Sequence, residues 1–136
     1  MKIRKDFRPT KKELDKLWAT AVKLRAGMKS EYKHLPNTTL HAHHIIGKST
    51  LALRYNLDNG VCVTGGQHFF VAHHTGRSAK FKTWALSHRG VTEDDLLLTS
   101  RNRVDMFGVQ LYLEQKIIEL LHKIKVVVGG VYNQGA

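Results

Sequence analysis

The chain has 136 residues and is 42% hydrophobic, which fits one domain with its own core and excludes a wholly disordered chain. Lys and Arg number 22 against 11 Asp and Glu, a formal charge of +11, so a polyanionic partner is the first expectation. One cysteine, Cys62, excludes a disulfide framework and any zinc site built from several thiolates.

The basic start, Met1-Lys-Ile-Arg-Lys-Asp6, has no apolar stretch after it, so a cytoplasmic location is expected. No run approaches ~18 consecutive apolar residues, so no membrane-spanning helix and no membrane partner are expected. Thr10-Lys-Lys-Glu13 reads as a capping box opening a helix with Leu14, Leu17, Trp18, Ala21 and Leu24 at spacings of three and four; Gly27 stops it. Residues 28–38, with Pro36-Asn37, read as a loop. Thr38 to His43 is a candidate strand. The apolar run Leu51 to Leu57 is too short to assign. Asp58-Asn59-Gly60 is a turn signal leading into a strand over Val61–Val63, so 38–64 reads as a hairpin with a long connection.

Gly65-Gly66 breaks that strand, and Gln67 to about Ala72 reads as a helix ended by Gly76. Ser78 is the expected cap of the next helix, with Phe81, Trp84 and Ala85 on one side. Thr92, followed by three acids, caps another. Asp105 to Lys125 reads as one long helix despite Gly108. Val126 to Val131 is ambiguous between a last strand and a loose tail.

The charge is uneven. Residues 32–92 hold seven Lys or Arg and one acid, Asp58, a segment suited to nucleic acid. Six of the nine histidines are His41, His43, His44, His68, His73 and His74. Imidazole is the commonest transition-metal ligand, and two strand-end histidines beside a helix-start histidine can hold one divalent ion and leave one ring free.

The run Leu40-His-Ala-His-His-Ile-Ile-Gly-Lys-Ser49, then Arg54 to Asn59-Gly60, then His68, resembles the HNH (His-Me finger, ββα-metal) endonucleases, with His-His, Asn and His spacing similar to the colicin DNases. The likeness covers about residues 40–75, and a weaker likeness to phage-type HNH proteins reaches from Trp18 to Trp84. It implies an α+β fold: a ββα-metal core over 38–76, a basic helix and loop over 1–37, and a helical region over 77–136. It implies a divalent-metal-dependent nuclease cutting DNA phosphodiester bonds, as a monomer or homodimer in the host cytoplasm if phage-encoded. By position His44 is the general base, Asn59 ties the hairpin loop and orients that base, and His43 and His68 ligate the metal.

The chain also departs from the family. The slots of the two Cys-x-x-Cys knuckles of many HNH proteins hold Met28, Glu31, Thr64 and Gln67, so no structural zinc is expected and apolar packing from Trp18 and the helix over 105–125 must replace it. The colicin type has a further histidine four residues after the helix ligand. Here that slot is Ala72, and His73 follows. His73 is a candidate third ligand only if the helix unwinds before Gly76, because ideal steps of ~100° carry it away from His68. His41 is expected beside the ligands or at the surface. Lys48, Arg77, Lys80 and Lys82 are expected to meet phosphates as a group, and Arg54 either does so or braces the hairpin. Two or three imidazoles favour Mn, Ni, Co or Zn over Mg for binding. A non-catalytic nucleic-acid-binding module on the same fold is the alternative. A histidine-rich structural metal protein is a third possibility.

Overall fold

The computed structural model describes residues 8–33 and 39–134. His34, the Pro36-Asn37 turn, Thr38 and the basic start up to residue 7 lie outside the described residues. Helix α1 (Lys11–Arg25) begins as its sequence dictates: the Thr10 hydroxyl accepts a hydrogen bond from the Glu13 amide. Gly27, at φ 69°, ends it, with the Gly27 and Met28 amides turned back to Leu24 and Lys23 carbonyls. The helix buries Leu14, Trp18, Ala21 and Val22.

Strands β1 (Leu40–His44) and β2 (Gly60–Thr64) pair antiparallel, with His43 opposite Val61 and His44 opposite Gly60. Side chains alternate across a sheet, so this register divides the hairpin into two faces. Cys62 packs with Trp18, Val22, Tyr55, Leu57 and Leu113 on the α1 side. Val61 and Val63 pack with Ile45, Ala72, Phe81 and Ala85 on the other. Adjacent histidines of β1 therefore serve different layers. His44 faces α1, and His41 and His43 face the chain that follows β2.

The connection between the strands holds a short helix, α2 (Leu51–Arg54), capped by Thr50, and a 3-10 turn over Leu57–Asn59. The unassigned apolar run is thus helix and turn. After β2, Thr64 and Gln67 form a capping box over α3 (Gly65–Gln67), which runs into a π-helical turn over His68–Ala72. Helix α4 (Ser78–Arg89) ends at Gly90 with φ 71°. Its N-cap position is Arg77, not Ser78, and no side chain caps it there: Ser78 is already helical. Helix α5 (Glu93–Thr99) opens on a full capping box between Thr92 and Asp95.

Helix α6 (Met106–Gln134) packs against α1 through Leu113. It runs on through 126–131, where a strand or a loose tail was the expectation, because neither Gly129 nor Gly130 ends it. The result is a mixed α+β fold with one two-stranded sheet among the described residues. Among those residues no helix is long and apolar enough to cross a membrane.

Candidate metal centre

The two faces of β1 meet their partners near the end of the hairpin that carries the connection, where His43 and His44 face Val61 and Gly60. On one face, His43, His68 and His73 each offer a ring nitrogen, and these atoms lie within 4.8 Å of one another. Nitrogens ~2.1 Å from a common ion are separated by ~3.0–3.4 Å at octahedral to tetrahedral angles, so the trio is close enough to hold one metal ion after small side-chain adjustments. The Nε2 atoms of His68 and His73 stand 2.9 Å apart. His43 is buried and its pKa is pushed down to about 3, first by burial and then by the neighbouring histidines. Burial, with His73 and His41 next, also lowers His68. A ring held neutral keeps its lone pair for a metal.

His73 reaches this group through the π-helical turn. Its amide bonds the His68 carbonyl five residues back, at 3.3 Å, so the turn is one residue wider than an α-turn. That widening brings position i+5 where an ordinary helix brings i+4. The expected unwinding is therefore a regular device that absorbs one extra residue. His41 Nδ1 lies 3.0 Å from His68 Nδ1. For His68 Nε2 to present a lone pair, its Nδ1 must carry the proton and donate it to His41, which fixes tautomer and ring orientation together.

On the opposite face His44 stacks on Trp18, with centroids 3.9 Å apart and planes 4° from parallel. Its Nε2 lies 2.9 Å from the Arg54 carbonyl oxygen, which can only accept. Nε2 therefore bears the proton, and Nδ1 is the acceptor. Burial lowers the His44 pKa, against the opposing pull of that hydrogen bond.

Asn59 is fully buried and spends its whole amide on the loop between the strands. Its Oδ1 accepts from the Ile46 amide at 3.0 Å, and its Nδ2 donates to the Gly47 and Leu53 carbonyls at 2.8 and 3.1 Å. The segment carrying Arg54, and hence the carbonyl that holds His44, is fixed by these bonds.

Two clefts border the histidines. One of about 520 Å³ is walled by Asp15, Trp18, His43, His44 and Lys48, and one of about 270 Å³ by His43, His73, Phe81 and Lys82. Lys48 and Lys82 therefore stand at the site, Lys82 in an ion pair with Glu93 at 2.7 Å. Arg77 and Lys80 are exposed around the start of α4 and line neither cleft. Arg54 makes a two-pronged pair with Asp15, at 2.7 and 2.6 Å, so bracing is the role its contacts display. That bond also holds the Asp15 carboxyl below its usual pKa. Asp15 and the Trp18 stack were not singled out from the sequence; they share one face of α1 at a spacing of three.

The four knuckle slots are used otherwise. Met28 is exposed, and Glu31 accepts from the Cys62 amide and pairs with His88 and Arg89. Gln67 accepts from the Thr64 amide and donates to the Tyr32 and Lys33 carbonyls, so hydrogen bonds join the two loops, in addition to the expected packing of Trp18 and α6. Cys62 is fully buried, which raises its thiol pKa to about 11. Comparison of the chain with protein-family models, with curated proteins and with solved structures gave no match.

Proposed function

We propose that this chain is a divalent-metal-dependent endonuclease that hydrolyses DNA phosphodiester bonds on a ββα-metal core of the HNH type. The observation that carries this reading is the pairing of adjacent residues with opposite duties. His43 turns to His68 and His73, and His44 turns to Trp18 with Nδ1 left to accept a proton. His43, His68 and His73 are the residues that would hold a divalent cation, which when bound would supply Lewis-acid stabilisation of the negative charge that develops on a phosphodiester. His44 Nδ1 takes the proton of the attacking water, while Nε2–H stays on the Arg54 carbonyl and holds the ring in one orientation. Asn59 positions this base through the loop it ties. Lys48 and Lys82 attract the backbone, and the net charge of +11 draws nucleic acid to the surface.

The test is a supercoiled-plasmid assay with Mn²⁺, Ni²⁺, Co²⁺, Zn²⁺ or Mg²⁺ and with EDTA. Nicking or linearisation that needs the cation and stops with EDTA is expected. Salt-sensitive DNA binding without turnover in any of these metals would leave a non-catalytic binding module instead.

A further inference from the structure

The two clefts beside the histidines share a floor. His43, His44, Gly47 and His73 line both of them, so the clefts adjoin over the metal trio and the candidate base and form one trench. One end of the trench is walled by α1, through Asp15 and Ala19, together with Lys48. The other end is walled by the start of α4, through Ser78, Ala79 and Lys82. The histidines thus stand in the middle of the trench, with a lysine at each end.

The charge along this trench has one sign. Asp15 is the one acid among the residues lining either cleft, and Arg54 takes up both of its oxygens, at 2.7 and 2.6 Å, so that charge is balanced within the fold. Helix α1 adds further cations at its end. At ~100° per residue, Lys12 falls about 20° and Lys16 about 60° from the line of Ala19, on the side away from Trp18. Both are exposed, as is Lys48. At the other end Lys82 pairs with Glu93 at 2.7 Å, and both side chains are open to solvent, so a phosphate can compete for this lysine at little cost. Positive charge on both sides of the histidines suits a ligand that carries negative charge at intervals along its length, and a nucleic-acid strand has one phosphate per nucleotide.

We infer that the two clefts are one path for a single nucleic-acid strand, which runs from α1 across the histidines to the start of α4. Lys12, Lys16 and Lys48 seat its phosphates at one end, and Lys82 seats a phosphate at the other. The strand is therefore held on both sides of the histidines, and the substrate is an internal stretch of chain with phosphates flanking the reacting one. The choice of nucleic acid over other polyanions rests on the nuclease reading; the path and its lysines rest on the shared floor and the charge at both ends.

Fluorescence anisotropy of a labelled thymidine oligonucleotide, titrated with the full chain in EDTA over a series of NaCl concentrations, tests it without turnover. Lys48→Gln and Lys82→Gln should each lower the slope of log Kd against log salt by about 0.7, the value of one phosphate contact on a single strand, and Lys12→Gln with Lys16→Gln by about twice that. Glu93→Gln, which releases Lys82, should tighten binding. Lys123→Gln, exposed on α6, should keep the wild-type slope. Absence of binding at low salt would overturn the inference. So would a loss of slope at one end alone, an α1 double variant without effect, no tightening by Glu93→Gln, or an equal loss from Lys123→Gln. The nuclease reading fails separately. A chain that shows these lysine effects but cuts no plasmid in any of the five metals keeps the path and loses the activity, and one that cuts plasmid without the lysine effects keeps the activity and loses the path.

Discussion

Trp18 lies flat against His44, 3.9 Å between centroids, although 26 positions of sequence separate them. The indole is itself pinned, because its Nε1–H donates to the Asn56 carbonyl at 3.0 Å. The imidazole is thus held by a ring on one side and by the Arg54 carbonyl at its edge. Both supports come from segments that the first strand does not touch in sequence, so the candidate base is oriented by tertiary packing. Trp18→Ala should cost about 3–5 kcal/mol of stability and release the His44 ring. Trp18→Phe should keep the stack at a smaller cost, and denaturant unfolding of the two variants checks the order.

Gly60 makes that stack possible. It sits opposite His44 in the sheet, and a β-carbon there would come within 2.6 Å of Trp18 Cζ2 and 2.9 Å of Val22 Cγ2. Gly60→Ala must push α1 away and should cost about 1–3 kcal/mol. Urea unfolding would show this, and an unchanged midpoint would mean that α1 approaches the sheet less closely.

Asn59 should tolerate neither loss nor charge. Asn59→Ala leaves the Ile46 amide and two carbonyls without their buried partner, at about 1–3 kcal/mol for each group left unsatisfied. Asn59→Asp keeps the acceptor but turns a carboxylate toward the Gly47 and Leu53 carbonyls. Its deficit relative to wild type should therefore be larger at pH 8 than at pH 5, where protonation restores a donor. Melting curves at the two pH values distinguish this from a generic cavity.

The local signals were the legible part of the fold. Thr10 and Thr92 start helices, Gly27 and Gly90 end them, and Asp58-Asn59-Gly60 leads into β2, because each acts within one turn of chain. The histidine pair and His68 were legible from strand alternation and spacing. His73 was obscured by the assumption of a regular 100° step, which the π-helical turn breaks. The partnerships of His41 with His68 and of Asp15 with Arg54 depend on how distant elements dock, and no periodicity carries that. The full length of α6 was hidden by Gly129-Gly130, poor helix formers that here fail to stop it.

Acid should destabilise the metal-free protein. His43 titrates at about 3 when folded and near 6.5 when unfolded, and burial lowers His44 and His68 in the same direction. Between those values the unfolded chain binds more protons than the native one, so stability is lost as pH falls below about 6.5. The Tm in EDTA should drop from pH 7.5 to pH 5, and His43→Asn should flatten that drop. A Tm independent of pH across this window would contradict the burial of these rings.

His73 and His41 should differ in kind at the metal. His73→Ala removes a ligand nitrogen and should weaken Mn²⁺ or Ni²⁺ binding at least tenfold. His41→Ala leaves all three ligand nitrogens but frees the His68 ring, with an expected loss of about 10–100-fold in affinity. His41→Gln, which can still accept from His68 Nδ1–H, should recover most of it. Calorimetric titration of the three variants reads both effects.

The central claim is that adjacent histidines divide the work, His43 to the metal and His44 to the proton. The most direct measurement is metal affinity and single-turnover plasmid cleavage on one preparation of His44→Ala. The account predicts metal affinity equal to wild type, DNA binding retained, and cleavage slowed by roughly 10²–10⁴-fold. Cleavage at the wild-type rate, or loss of the metal together with the activity, would contradict it.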